Sequence, residues 1–368
     1  MKGADHMAGI FSLRKFSDID LADPFFNQLK SDYQGSVKTT EFNTWFNTKA
    51  KEGRTALIFD DDDGLGAFIA IKPEAEEIEL DECTLPAKQR LKISTFLIAP
   101  RFRGQRLGEG ALGLVLWKWQ EFGYDEIYVT VYDSHQDLID QLTKFGFTLI
   151  GHRDGECVYI KSRNNIDYSD PYSSFPFIDP NFDEAGYLAV NDYFHDTLFP
   201  YSELKRNTTD KVILDVSNGL SKTYLGSPIS QLGFQAGDPV FVYRKHTGPG
   251  SPGYNSCVTT YCMVKDIVWV KKNGQASMTY EEYMSRIGNK SVYDSLELQN
   301  QYNNKTSLVI IELDYYGFFG GGNNINWVWL KNHGCWGDGY PTSQKLSHEQ
   351  FNKILKEGNI DASNVIID

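Results

Sequence analysis

The run over residues 98–110, IAPRFRGQRLGEG, places three glycines and three arginines where an extended pattern gives way to a helical one. A helix that starts directly after a strand presents unpaired backbone N–H groups and the positive end of its dipole, and glycine lets a phosphate approach that backbone closely. The sequence therefore predicts an anion-binding loop; the alternative is a plain strand-to-helix turn. The residues of the predicted loop are Arg103, Gly104, Gln105, Arg106, Leu107 and Gly108.

Side chains that could transfer a proton flank two other predicted strands. Tyr132, Asp133 and His135 follow one strand, and Glu82 precedes another. Histidine titrates near neutral pH and can accept an amine proton directly or through water. The alternative for His135 is a surface position at a helix start that Asp133 or Ser134 caps.

The elements that must position these residues alternate between strands and helices. A strand pattern over residues 91–98 ends at Pro100, and an amphipathic helix follows the loop. Its apolar face consists of Leu112, Val115, Leu116 and Trp119, at helical spacing. Further patterns predict a hairpin over 55–71, strands over 127–131, 147–150 and 158–161, and a helix through Leu138, Leu142 and Phe145. Together they predict an α/β domain with a mixed central sheet flanked by helices.

The order of these motifs over residues 93–147 resembles the GCN5-related N-acetyltransferase (GNAT) superfamily. The strand ending before Pro100, the glycine loop and the later Lys144-Phe145-Gly146-Phe147 turn are similar to that family's V-x-P, R-G-x-G-x-G and K-x-G-F motifs. The resemblance extends over residues 9–162 and implies acetyl-CoA as the cofactor. It also implies that the backbone of Phe96 and Ile98 pairs with pantetheine and that the loop of residues 103–108 binds the pyrophosphate.

Two positions depart from the family pattern. Arg106 stands at the usual second glycine of the loop. We expect arginine to fit there because a helix-start position needs no positive φ, and its guanidinium could either meet a phosphate or point to solvent. Leu142 stands where the family often has the tyrosine that protonates the leaving CoA thiolate. Another group or water must then supply that proton.

The chain changes character after residue 162. Residues 163–186 are rich in proline and turn formers, which predicts a surface linker. Beyond it, short strands, among them 211–216, 239–244, 257–270 and 308–315, predict a mainly β barrel over 187–368 with accessory helices at 280–286 and 348–357. The turn at Gly237-Asp238 before an aromatic strand resembles the PUA-like superfamily, including ASCH and EVE domains, which implies binding of RNA or a modified base. The glycine-x-lysine-x-x-glutamate signature of ASCH domains lacks its acidic member after Lys222, so hydrolysis by this domain is not expected.

A pocket that reads a base needs aromatic faces and a few polar groups. The alternative for each candidate is an ordinary position in the barrel core or on its surface. The main candidates are Tyr193, His195, Asn218, Lys222, Tyr224 and Tyr243, with Trp327, Trp329 and Gln344 as further ones.

Composition limits which kinds of partner the chain is expected to bind. A net charge of −13 argues against a broad, nonspecific grip on nucleic acid. The longest apolar runs fall well short of the roughly 20 residues of a membrane helix, so the sequence predicts a cytoplasmic protein without membrane contact. Five cysteines without a CxxC pair predict neither a disulfide framework nor a metal site.

The sequence thus predicts an acetyl-CoA-dependent N-acetyltransferase acting on a primary amine. Its PUA-like domain would recognise a nucleic-acid-related substrate: tRNA, aminoacyl-tRNA as in the toxin-type relatives of toxin–antitoxin systems, or a modified base. One alternative is acetylation of a protein or small molecule, and another is a noncatalytic protein that senses CoA or binds RNA. The family often dimerises, which makes a homodimer possible.

Overall fold

The computed structural model describes residues 10–35, 41–202, 204, 215–228 and 231–367. The chain divides into two compact units, Met1–Ile166 and Asp167–Asp368.

The first unit is a mixed sheet with helices, as the sequence predicts. Its main sheet has the order β1-β2-β3-β6-β7-β9-β8; β6 and β7 are parallel and the other described neighbours are antiparallel, while β4 and β5 form a separate pair. The described elements are β1 (Ser12–Lys15), α1 (Asn27–Gly35), α2 (Phe42–Lys51), β2 (Thr55–Asp61), β3 (Gly64–Glu74), β4 (Ile78–Glu79), β5 (Thr84–Leu85), β6 (Arg90–Ile98), α3 (Leu107–Phe122), β7 (Glu126–Val131), α4 (Gln136–Lys144), β8 (Thr148–Arg153) and β9 (Glu156–Ser162).

Burial of apolar side chains holds α3 and α2 in place. The predicted apolar face of α3, Leu112, Val115, Leu116 and Trp119, is fully buried. Each such side chain contributes roughly 1.5–3 kcal/mol when it leaves water. A second cluster packs Phe42 and Phe46 of α2 against Phe68 of β3. The helix that follows the predicted loop is therefore packed along its apolar face.

The parallel pair β6 and β7 is closed at one end and open at the other. Arg90, 1% exposed, donates from Nε to Glu126 at 2.7 Å, where the pairing begins. The β6–β7 register ends at Ile93 and Val129, although β6 stays paired with β3 and β7 with β9 beyond that point. The two strands therefore diverge, and half of the backbone groups on β6 beyond Ile93 face the gap, because successive residues of a strand point their hydrogen-bonding groups to alternate sides.

The second unit is mainly β, as predicted. Its sheet has the order β11-β15-β13-β12-β10-β17, with β14 and β16 paired to β13 and with β10 parallel to β12. No pairing joins β11 to β17 among the described residues, so the closed barrel stays a prediction. The described elements are α5 (Pro171–Ser174), β10 (Ala185–Asn191), α6 (Asp192–Leu198), α7 (Asp215–Asn218), β11 (Ser221–Gly226), β12 (Pro239–Lys245), α8 (Pro252–Asn255), β13 (Cys257–Lys272), β14 (Gln275–Ala276), α9 (Tyr280–Ile287), α10 (Ser295–Asn304), β15 (Leu308–Phe318), β16 (Ile325–Asn326), α11 (Trp327–Asn332), β17 (Lys345–Leu346), α12 (His348–Glu357) and α13 (Ala362–Val365).

Two predictions about this half of the chain are corrected. Residues 167–186 belong to the second unit instead of a surface linker: Phe175, Phe177 and Ile178 are buried, and the Ile178 N–H donates to Val365. The segment packs into the second unit because burying its apolar side chains is favourable, although its composition is rich in turn-forming residues. Of the strand predicted over 211–216, residues 211–214 lie outside the described part, and Asp215–Asn218 is helical.

Candidate functional site

The predicted anion-binding loop lies in a cleft of about 690 Å³ at the start of α3. β6 ends at Ile98, a short 3-10 turn covers Pro100–Phe102, and the 16-residue α3 begins at Leu107. The N-cap of α3 makes no side-chain capping hydrogen bond. The first-turn N–H groups, which have no acceptor within a helix, are therefore suited to an anion. The cleft is lined by Gln28, Leu29, Phe96–Ile98, Pro100, Phe102–Gly104, Arg106–Glu109, Ser134–Leu138 and Gln141.

Arg106 differs from the prediction for its position. Its φ is +62°, so the backbone is left-handed, as glycine at this position would allow. The expectation that this helix start needs no positive φ is wrong, and an L-residue in this conformation costs roughly 1–2 kcal/mol. Its guanidinium pairs with Glu109 through Nε at 3.0 Å and Nη2 at 2.7 Å. The ion pair anchors the loop to the first turn of α3.

The two loop glycines meet different requirements. Gly104 has φ +77° and a Cβ there would meet nothing within 4 Å, so its backbone conformation is what favours glycine. A Cβ on Gly108 would lie 3.1 Å from Oε1 of Gln141 on α4. Glycine at 108 thus keeps the helix start open between α3 and α4. An uncrowded helix N-terminus fits a diphosphate.

The structure brings seven of the eight predicted cofactor residues, all described, to this cleft. Gln105 is the exception: its side chain donates to the Arg101 carbonyl at 3.0 Å. The seven are Phe96, Ile98, Arg103, Gly104, Arg106, Leu107 and Gly108. Their contact with acetyl-CoA stays a prediction.

The candidate proton-transfer residues do not all lie at the cleft. Within the described chain His135 lines the cleft, whereas Tyr132 and Glu82 do not. Tyr132 lies beside His135, with ring centroids 6.4 Å apart. Glu82 is held elsewhere: the backbone N–H and the Nδ1 of His152 contact its carboxylate at 3.0 and 2.9 Å, which lowers the pKa of Glu82 and raises that of His152.

Sequence analysis missed polar groups that also line the cleft. Leu142 is fully buried and offers no proton, but the neighbouring Gln141 faces the cleft, as does Ser134 before α4. Their place in the sequence could have indicated this role, because both residues belong to the segment that follows β7. That position alone does not identify them as cleft residues, because serine and glutamine are common at helix starts and on surfaces.

The nucleic-acid candidates of the second unit do not form one open site. His195 is fully buried, with Nδ1 2.8 Å from Asp196 and Nε2 2.6 Å from Thr259. Lys222 is 1% exposed and donates to the Val216 carbonyl. These two candidates are corrected: they are satisfied interior groups, since a buried polar group needs internal partners.

The other candidates of the second unit differ in exposure. Tyr243 is buried, Tyr193 is 72% exposed, and Asn218 and Tyr224 are half-buried. The hydroxyl of Tyr224 donates to the Ala189 carbonyl at 3.2 Å. A base-binding role for these four residues stays a prediction.

The described residues show neither a long apolar helix nor a cluster of metal-binding side chains. No helix there is long and apolar enough to cross a membrane. No group of three or more His, Cys, Asp or Glu side chains in that part of the chain is arranged to hold a metal ion.

The first unit matches a known protein family. Residues 22–147 match the sequence model of the acetyltransferase (GNAT) family. That segment contains the diverging strands, the loop and α3. The chain is therefore an acyltransferase, and acetyl-CoA is its cosubstrate.

Solved structures show weaker similarity. Arabidopsis thaliana Naa50 in complex with the bisubstrate analogue CoA-Ac-MVNAL is 22% identical with a TM-score of 0.27, over 41% of this chain and 98% of that one. The PaiA N-acetyltransferase of Thermoplasma acidophilum in complex with coenzyme A is 16% identical with a TM-score of 0.30, over 42% and 99%. A mutant form of ZmASCH from Zymomonas mobilis is 13% identical with a TM-score of 0.31, over 47% and 94%. No curated protein matches the chain.

Proposed function

We propose that the chain transfers the acetyl group of acetyl-CoA to a primary amine, in the cleft of the first unit. The observation that carries this proposal is the continuity of that cleft. It runs from the α3 helix start to the stretch of β6, Phe96–Ile98, that lies beyond its pairing with β7. A diphosphate and an extended chain need these two surfaces next to each other.

Different residues of the cleft would bind the diphosphate, pair with the pantetheine chain and transfer protons. The first-turn N–H groups of α3 bind the diphosphate, and the free backbone groups of β6 near Phe96 and Ile98 pair with the pantetheine chain. Acetyl-CoA supplies an activated acyl group: the amine nitrogen forms a bond to the carbonyl carbon, the carbon–sulfur bond breaks, and the thiolate leaves. Positioning the amine beside the thioester contributes to the rate enhancement by lowering the entropic cost of reaction. The amine must lose a proton and the thiolate must gain one, and His135 is the titratable imidazole in the cleft.

Calorimetric titration of the full chain with acetyl-CoA tests the binding site. We expect Gly108→Trp to abolish binding, because even a Cβ there meets Gln141 at 3.1 Å and the indole would fill the helix start. Phe122→Trp, at the exposed other end of α3, is the matched control and should bind as the wild type does. If the wild type does not bind acetyl-CoA, or if Gly108→Trp binds it as tightly as the wild type does, the proposed acetyl-CoA site is wrong.

His135→Gln tests proton transfer in the same preparation. We expect calorimetric binding of acetyl-CoA to persist, while the rate of CoA thiol release with an amine falls by about 10²-fold, a typical contribution of acid–base catalysis. An unchanged rate would show that His135 only lines the cleft.

Recognition of a nucleic-acid-related acceptor by the second unit stays a prediction, as do a cytoplasmic location and a homodimer. The acceptor is found by incubating the chain with labelled acetyl-CoA and either total aminoacylated tRNA, protein or free amines. A mass increment on nucleosides or aminoacyl ends supports the nucleic-acid acceptor. Label confined to proteins or free amines supports the alternative.

A further inference from the structure

A second pocket, of about 310 Å³, opens in the first unit where β6 and β7 diverge. Ser94 and Thr130 line it, and each is the first residue beyond the last β6–β7 pair, Ile93 with Val129. The other lining residues come from the turn after β1, from α2 and the turn that follows it, and from β2, β3 and β6; the charged ones are Lys49, Arg54, Lys72, Glu74 and Lys92. Along β6, this pocket is lined up to Ser94, and the first cleft is lined from Phe96 onward.

The pocket is basic in an acidic protein. Four cationic side chains, Lys49, Arg54, Lys72 and Lys92, line it against one carboxylate, Glu74, whereas the whole chain carries a net charge of −13. The Arg54 guanidinium is oriented by a 2.8 Å hydrogen bond to the Ile71 carbonyl, which neutralises no charge. Lys49 pairs at 2.8 Å with Glu52, whose charge also acts on Arg54 and Lys72. The four cations therefore face two carboxylates, Glu74 in the lining and Glu52 beside it, and the pocket stays basic.

Glu74 is the carboxylate in the lining, and it pairs with one of the four cations. Lys72 donates to its carboxylate at 2.7 Å, and the Tyr128 hydroxyl donates to the other oxygen. Lys92 lies over the Tyr128 ring, 5.4 Å from its centroid. Burial raises the pKa of Glu74, but the hydrogen bonds from Lys72 and Tyr128 and the charge of Lys92 outweigh it and lower the pKa. The carboxylate is thus ionised at neutral pH and is a poor base.

We propose that this pocket selects an acceptor amine that carries an oxyanion, a carboxylate or a phosphate. The oxyanion binds among Lys49, Arg54, Lys72 and Lys92, and the amine faces the diverging strands at Ser94 and Thr130. Oxyanions accept short, charge-assisted hydrogen bonds from lysine and arginine. Acceptors with extra positive charge, such as polyamines, are disfavoured by repulsion. The inference rests on the proposed acetyl transfer, of which it specifies the acceptor.

Matched acceptor pairs test the selectivity, with release of CoA thiol as the readout. A free amino acid against its amide forms the carboxylate arm, and phosphoethanolamine against ethanolamine forms the phosphate arm. We expect the oxyanion member of at least one pair to have a kcat/KM about tenfold or more above its neutral partner, the difference one charged hydrogen bond makes. Equal values in both pairs overturn the inference.

Variants assign the selectivity to the pocket. Lys92→Gln should raise KM for the preferred oxyanion acceptor about tenfold more than it raises KM for the partner that lacks the oxyanion. Lys118→Gln, an exposed lysine of α3, is the control and should change neither. A KM that rises equally for both members of the pair contradicts oxyanion binding by Lys92.

Binding measurements separate this inference from the proposed function. Acetyl-CoA that fails to bind the wild type refutes the proposed function itself. If acetyl-CoA binds but none of the four amines reacts, calorimetry with inorganic phosphate at saturating CoA decides, because CoA then fills the first cleft. Phosphate binding that Lys92→Gln abolishes supports the pocket, and binding that is absent or indifferent to Lys92 overturns it.

Discussion

Arg106 shows how a residue other than glycine can hold a left-handed backbone conformation. Its left-handed φ of +62° is opposed by Cβ sterics, while its bidentate pair with Glu109 holds the loop against α3. The loop itself was predictable from its glycines and from the strand and helix on either side. The sign of φ was not, because it depends on where β6 and α3 place the two ends of the loop.

Replacing Arg106 by glycine or alanine separates strain from pairing. Both variants lose the ion pair, but alanine keeps the left-handed strain and glycine relieves it. We expect Arg106→Gly to be more stable than Arg106→Ala by about 1 kcal/mol in the free energy of unfolding of the first unit, from denaturant titration. Equal stabilities would mean that the loop adopts another conformation.

The pair of strands β6 and β7 shows how an element creates the site. Arg90 and Glu126 close one end, with the Lys88 ammonium also 2.7 Å from Glu126, and the other end opens at Ile93 and Val129. The strands and α3 were predictable from periodicity within short windows. Their divergence and the burial of residues 175–178 were not, because both depend on contacts between residues distant in sequence.

Glu126→Gln should destabilise the first unit in a pH-dependent way. Burial raises the pKa of Glu126, but the hydrogen bonds from Lys88 and Arg90 outweigh it and lower the pKa. The ionised pair therefore stabilises the fold above the unfolded pKa, and this contribution is lost as the pH falls through the lower folded pKa. We expect the variant to be about 3 kcal/mol less stable at pH 7, because it leaves a buried arginine without its carboxylate.

Denaturant titrations across pH check this expectation. The difference between the wild type and Glu126→Gln should shrink as the pH falls below about 4. Glu121→Gln, on the exposed pair with Lys118, is the control and should change stability by less than about 1 kcal/mol. A difference that stays constant down to the acid transition would contradict the role of the Glu126 charge.

At the scale of the whole molecule, charge limits what the chain binds without specific recognition. The net charge of −13 repels polyanions, while the basic pocket at Ser94 and Thr130 brings four cationic side chains to a volume of about 310 Å³. Such a pocket accommodates one anionic group instead of a polymer backbone. Any nucleic-acid acceptor must then be recognised locally.

Random-sequence RNA should accordingly show no measurable binding to the full chain at about 0.15 M salt, since nonspecific affinity comes from many phosphate contacts. Fluorescence anisotropy of a labelled RNA measures this, with a basic protein as the positive control. Micromolar binding with a steep salt dependence would reveal a phosphate-binding surface that the net charge conceals.

By itself, the sequence determined the class of the first unit and the helix-start loop, because glycine spacing and apolar periodicity act over a few residues. The acetyl donor followed from the family resemblance of these motifs. It also indicated a second, mainly β unit. Only the tertiary structure decided the left-handed Arg106, the interior positions of His195 and Lys222 and the basic pocket. Lys49, Lys72 and Lys92 lie on α2, β3 and β6, where each is an ordinary surface lysine in sequence. Sheet pairing and the packing of α2 on the sheet bring them to one cavity, and their shared charge, which no local pattern encodes, gives that cavity its chemistry.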